Sequence, residues 1–164
     1  MSKPCVYVET TIPSSGFYHE TRTAPDIVAR RRWTRQWWSG ALERYELVTS
    51  SPVLDELAGG PRERIAERLT LVRELPLLAI EPGIGEILQA YLRHKLMPAD
   101  PAGDALHLAL ASYHKRDFLV TWNCRNLANA NKFEHIRRVN TMLGLFVPIL
   151  ATSLELLGGN NESE

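Results

Sequence analysis

The chain has 164 residues, 45% of them hydrophobic and 23% charged, proportions that fit one globular domain able to bury a core without disulfides or structural metal. Nineteen basic residues balance nineteen acidic ones, so no global field draws it onto nucleic acid, and any such binding must come from local patches. No apolar run approaches the roughly 20 residues that cross a bilayer, and the start lacks the apolar core of a secretory signal, so a cytoplasmic protein with no membrane partner is expected.

Cys5-Val6-Tyr7-Val8 reads as a first strand, closed by Glu9-Thr10-Thr11 and a turn-rich loop over Pro13, Ser14, Ser15 and Gly16. Thr23-Ala24-Pro25-Asp26 opens a helix in capping-box style, and Trp33, Trp37, Ala41 and Tyr45 recur at four-residue steps, widened by Trp38 and Leu42. Glu46-Leu47-Val48-Thr49 is a second strand. Ser51-Pro52 then starts a helix that carries Glu56 in its first turns, with Ser as cap. Gly59-Gly60-Pro61 breaks it and begins another, turning Ile65, Leu69, Val72 and Leu75 inward, and Leu77-Leu78-Ala79-Ile80 follows as a third strand.

Ile84, Ile87, Leu88, Tyr91 and Leu92 give the clearest amphipathic helix, ended by a polar linker over residues 97–101. Asp104 opens a helix rich in small residues, which let it lie close to a sheet, and residues 118–122 form the next strand. A helix through Phe133, Ile136, Asn140 and Leu143 stops at Gly144. Val147-Pro148-Ile149-Leu150 makes a last strand, confined to an edge by its proline. Strands alternating with helices predict a parallel α/β sheet in a single domain over residues 1–157, with a polar tail at 158–164. Cys5 and Cys124 fall at opposite ends of parallel strands, over about 10 Å apart and beyond the roughly 7 Å reach of a disulfide, so free thiols are expected.

Glu9, Glu56, Asp104 and Asn123 each stand where a strand ends or a helix begins, at the edge where open parallel sheets bind ligands. Three carboxylates and an amide suit Mg²⁺ or Mn²⁺, which prefer oxygen ligands. Taken singly, each has a plainer reading: Glu56 and Asp104 as dipole-favoured acids of a first helical turn, Glu9 as a solvated strand end, Asn123 as a turn residue. His107 lies one turn after Asp104 on the same helix face, where it can approach a metal or substrate, although packing is the commoner role.

Val6-Tyr7-Val8-Glu9-Thr10-Thr11, then Ser51-Pro52-Val53-Leu54-Asp55-Glu56-Leu57, then Asp104-Ala105-Leu106-His107-Leu108-Ala109, then Leu119-Val120-Thr121-Trp122-Asn123, resembles the ordered motif set of PIN-domain nucleases. The likeness is to the toxin ribonucleases of type II toxin–antitoxin pairs. It implies a PIN-like parallel β-sheet of four to five strands in three α/β/α layers, RNA cleavage dependent on Mg²⁺ or Mn²⁺, homodimerisation, and inhibition by an antitoxin protein. By motif, Glu9, Glu56, Asp104 and Asn123 take the four acidic positions, the first three as metal ligands, and Thr10 the supporting hydroxyl.

Two departures stand out. Glu9 replaces the usual Asp and reaches through an extra methylene, and Asn123 replaces a usual acid, leaving three formal charges where four are typical. The exchanges make a rival reading credible, a catalytically weak or inactive PIN fold that binds RNA or a protein. A phosphatase-like or nucleotide-binding enzyme is disfavoured, since no glycine-rich loop follows the first strand. Among the basic residues, Arg125 is the best candidate for RNA contact, two positions after Asn123, whereas Arg30, Arg31, Arg32, Arg35, Arg137 and Arg138 fit solvated helix faces. Trp33, Trp37 and Trp38 fit a core or subunit interface.

Overall fold

Short runs of valine, leucine and aromatic residues pair side by side in one parallel sheet, and the computed structural model describes residues 2–16, 24–60, 65–97 and 103–158. The strands are β1 (Cys5–Val8), β2 (Glu46–Val48), β3 (Phe118–Val120) and β4 (Ile149–Ala151), in the order β2-β1-β3-β4. The helices among the described residues are α1 (Thr11–Gly16), α2 (Pro25–Arg44), α3 (Ser51–Ala58), α4 (Ile65–Arg73), α5 (Pro82–Arg93), α6 (Asp104–Tyr113), α7 (Ala130–Met142) and α8 (Ser153–Gly158). Tyr7 pairs with Val48 on one side and Leu119 on the other, and Leu119 pairs in turn with Leu150.

From β1 the chain steps to one side to form β2, then crosses back to form β3 and β4 on the other. Parallel crossovers are right-handed as a rule, so crossovers in opposite directions put helices on both faces, giving three α/β/α layers. α2 packs on α8, where Thr34 and Ser153 hydroxyls lie 2.9 Å apart. On the opposite face α5 packs on α6, and Tyr91 of α5 donates to Asn140 Oδ1 of α7 at 2.6 Å. With both faces covered, Val6, Tyr7, Val8, Leu119 and Val120 are fully buried, and one apolar cluster runs from Val6 to Leu156.

Several local expectations change. Residues 77–80 are not a strand: Leu77 forms one isolated bridge with Thr49. The reason is register, because Thr49 donates to Pro76 O and Leu78 donates to Thr49 O, after which the chain beside it turns into α3 and offers no further partner. Leu77 and Ile80 are accordingly half exposed. The loop after β1 winds instead into α1, started by Glu9, whose carboxylate accepts the Thr11 N–H. Pro13 fits there because a first-turn N–H needs no partner. α3 has Ser50 rather than Ser51 as N-cap, and no side-chain cap bond forms.

β3 ends at Val120, two residues early, and β4 runs one residue past the predicted end. Residues 153–158 form α8, where the sequence gives no periodic signal. The N-cap of α2 is Ala24, without a side-chain bond. Thr23, linker residues 98–101 and tail residues 159–164 lie outside the described residues. Cys5 and Cys124 are free thiols, and no described helix is long and apolar enough to cross a membrane.

Candidate active site

Polar residues cluster where the strands end, although the strands themselves are apolar. Glu9, Thr49, Ser50, Thr121 and Thr152 are all buried along the carboxyl edge, at the point where strand order reverses between β1 and β3. Glu9 is 3% exposed. Its Oε2 accepts from Thr11 N–H at 3.0 Å, from Thr121 Oγ1 at 2.7 Å and from the Thr11 hydroxyl. Three bonds to a charged acceptor, at about 1.5–3 kcal/mol each, offset the several kcal/mol that burying a carboxylate costs. Oε1 of Glu9 carries no hydrogen bond among the described residues.

Glu56 arrives from α3, with its side chain 36% exposed. Oε2 accepts from the Thr10 hydroxyl, so Thr10 joins the site through Glu56, and Oε1 lies 3.0 Å from His107 Nε2. Burial pushes the Glu56 carboxyl up, but the hydrogen bond and charge of His107 and the Thr10 hydroxyl outweigh it and hold the group below its ordinary value. His107 shows the mirror image: burial pushes the ring down, and Glu56, Glu9 and Asp104 together raise it above its ordinary value. One oxygen each from Glu9 and Glu56 and a ring nitrogen of His107 lie within 4.8 Å of one another.

Behind His107 runs a buried chain. Its Nδ1 is 2.7 Å from Tyr7 OH, which is 2.6 Å from Ser50 Oγ. This explains the missing cap on α3, since the Ser50 hydroxyl is turned toward Tyr7. Burial pushes the Tyr7 phenol well above its ordinary value, so it works as a neutral hydrogen-bonding group.

Asp104 and Asn123 take different places from Glu9 and Glu56. Asp104 opens α6 as predicted but does not join the 4.8 Å group, and its Oδ2 accepts from Asn126 Nδ2 at 2.7 Å. Asn123 is a turn cap: Oδ1 accepts the N–H groups of Arg125 at 3.3 Å and Asn126 at 3.0 Å. Its carbonyl oxygen is engaged by the turn it closes. Arg125 is exposed in that turn, while Lys132 Nζ donates to Asn126 Oδ1 at 3.1 Å and brings a cation to the Asp104 rim. Arg30 stacks on Trp122, itself stacked on Trp33, which assigns part of the tryptophan face to the core. Arg137 pairs with Glu134 on the exposed face of α7.

His107 thus moves from an open alternative to the centre of the cluster. Tyr7 has a sequence signal only in hindsight of strand geometry, since positions two apart point to one face and Tyr7 precedes Glu9 by two. Ser50, Asn126 and Lys132 carry none, because tertiary folding alone brings them in.

In donor chemistry, two carboxylates and an imidazole nitrogen within 4.8 Å of one another fit a small divalent cation. No family model, curated protein or solved structure matches the chain.

Proposed function

We propose that this protein is a metal-dependent endoribonuclease of the PIN type, the toxin of a type II toxin–antitoxin pair, hydrolysing RNA phosphodiester bonds at the acidic edge of the sheet. What carries this reading is the convergence of Glu9 and Glu56, from elements far apart in sequence, within 4.8 Å of each other and of a nitrogen of His107 on Asp104's helix. The four-motif resemblance supplies the reaction class, and with it an RNA substrate, an antitoxin and a second copy of the chain as partners.

Glu9 and Glu56 would hold Mg²⁺ or Mn²⁺, with Asp104 one helical turn from His107 as a further charge. When bound, the ion supplies acidified water and neutralises charge developing on the scissile phosphate. The chain's own residues do the positioning. Thr11 and Thr121 fix Glu9 through one oxygen, leaving the other for the site. Thr10 and His107 hold Glu56, the more exposed acid, where it can accept a proton from water. Lys132 and Arg125 offset the repulsion between carboxylates and phosphate.

The test is cleavage of structured RNAs by EDTA-treated protein with Mn²⁺ restored. Activity should return with the ion and fall on the order of a hundredfold in Glu9→Gln and Asp104→Asn. Cleavage indifferent to EDTA overturns the proposal. The binding-module reading is favoured by one observation, the use of Asn123 Oδ1 inside its own turn. Titration calorimetry separates the two, since a pure module shows no heat with millimolar Mg²⁺ or Mn²⁺.

A further inference from the structure

We propose that His107 is itself a ligand, through Nε2, of the cation held by Glu9 and Glu56, and that this nitrogen makes the site prefer a first-row transition-metal ion over Mg²⁺. The inference rests on the metal-dependent reading above and deepens it.

His107 is 1% exposed, so its ring is held by protein neighbours, while Glu56 beside it is 36% exposed. Tyr7 and Ser50 set its orientation: Nδ1 lies 2.7 Å from Tyr7 OH, which lies 2.6 Å from Ser50 Oγ, and when Nδ1–H donates to Tyr7 the Nε2 lone pair faces Glu56. Metal-bound histidines are held in this way, the second ring nitrogen donating to a fixed acceptor. Nε2 and Glu56 Oε1 lie 3.0 Å apart. Two lone-pair atoms that close require a cation between them, a proton in the free protein and a metal ion in the loaded one.

Glu9 supplies an oxygen that its neighbours leave open. It is 3% exposed, and Oε1 has no donor among the described residues. That oxygen is left to take a ligand, because Oε2 is spent on Thr11 and Thr121. Neither Asp104 nor Asn123 completes an all-oxygen set, because Asp104 stands outside the 4.8 Å group and Asn123 Oδ1 is held by its turn. Two carboxylates and an imidazole differ from the oxygen-only shell that Mg²⁺ demands, and they match ions later in the first transition row.

The test is calorimetric titration of the EDTA-treated full chain with Co²⁺ and with Mg²⁺, alongside the visible absorption of the Co²⁺ form. Co²⁺ should bind at least about tenfold more tightly than Mg²⁺. His107→Gln should remove that preference, lowering Co²⁺ affinity more than Mg²⁺ affinity, and shift the cobalt bands. Tyr7→Phe keeps the imidazole but removes its acceptor, so a loss of Co²⁺ affinity of about tenfold is expected there too, which serves if His107→Gln fails to fold. Equal affinity for the two ions, or a preference unchanged in both variants, overturns the assignment. Absence of any cation binding at millimolar concentration overturns the nuclease reading with it, whereas binding and cleavage that ignore His107 overturn this inference alone.

Discussion

Glu9 and His107 are both almost fully buried, yet the first is held by hydroxyls and a backbone N–H and the second by an acid and a phenol. That contrast gives the metal-free protein a pH signature. His107 is raised above its ordinary 6.5, so its contribution to stability is complete below that value and fades as pH climbs through the folded value. Glu56 is lowered below 4.5, so its contribution is complete above that value and fades as pH falls through the folded one. The pair therefore stabilises most between about pH 4.5 and 6.5. Urea midpoints of wild type and His107→Gln should differ more at pH 5.5 than at pH 8.5, and an equal gap at both would show that protonation of His107 does not stabilise the fold. Asn123→Ala should cost about 1 kcal/mol in the same assay by releasing the N–H groups of Arg125 and Asn126. At this scale Glu9 and Asp104 were legible because they mark element boundaries, whereas Glu56, expected in the first turn of its helix, lies late in α3, whose first turn holds no acid. Which oxygen each one spends on its neighbours was not legible, since Thr121 and Asn126 approach only once β3 and α6 are in place.

α6 is buried on nearly every side, and its alanines allow that close fit while Ser112 bonds back to Leu108 O and out to Asn140 Nδ2 at 2.8 Å. Asn140 also donates to Phe146 O at 3.0 Å and accepts from Tyr91, so one amide ties α5, α6 and the end of α7 together. Burial raises the Tyr91 phenol to about 12, as expected of a hydroxyl committed to that network. Asn140→Ala should destabilise by about 2–3 kcal/mol, because it orphans buried groups rather than trading one contact for another. A change under about 0.5 kcal/mol, read by urea unfolding, would mean the partners find substitutes. The helices α5 and α7 were readable from periodicity because each has one apolar face, whereas α2 turns Thr34, Trp37 and Ala41 inward and leaves Leu42, expected on that face, 60% exposed. α1 was hidden by Pro13 and two serines, which are turn residues out of context, and the apolar run at 77–80 looked like a strand but meets no continuing neighbour.

The whole molecule is organised by the reversal of strand order between β1 and β3, which gathers the ends of both strands and the starts of α1 and α6 at one edge. Parallel α/β layering was legible in the alternation of elements, and so was the edge position of β4 from Pro148. The order of strands was not, because it depends on which faces the helices cover. A cation bound at the reversal point links elements from both ends of the chain, so it should stabilise the fold as a unit. At a hundred times its dissociation constant an ion contributes about 2.7 kcal/mol, on the order of 5–10 °C in Tm for a chain of this size. Glu9→Gln should abolish that shift. The most direct measurement of the central claim is anomalous diffraction at the manganese edge from a crystal soaked in Mn²⁺. The account predicts a peak between Glu9 Oε1 and the Glu56 carboxylate, and its absence there, or a single peak elsewhere on the surface, would contradict it.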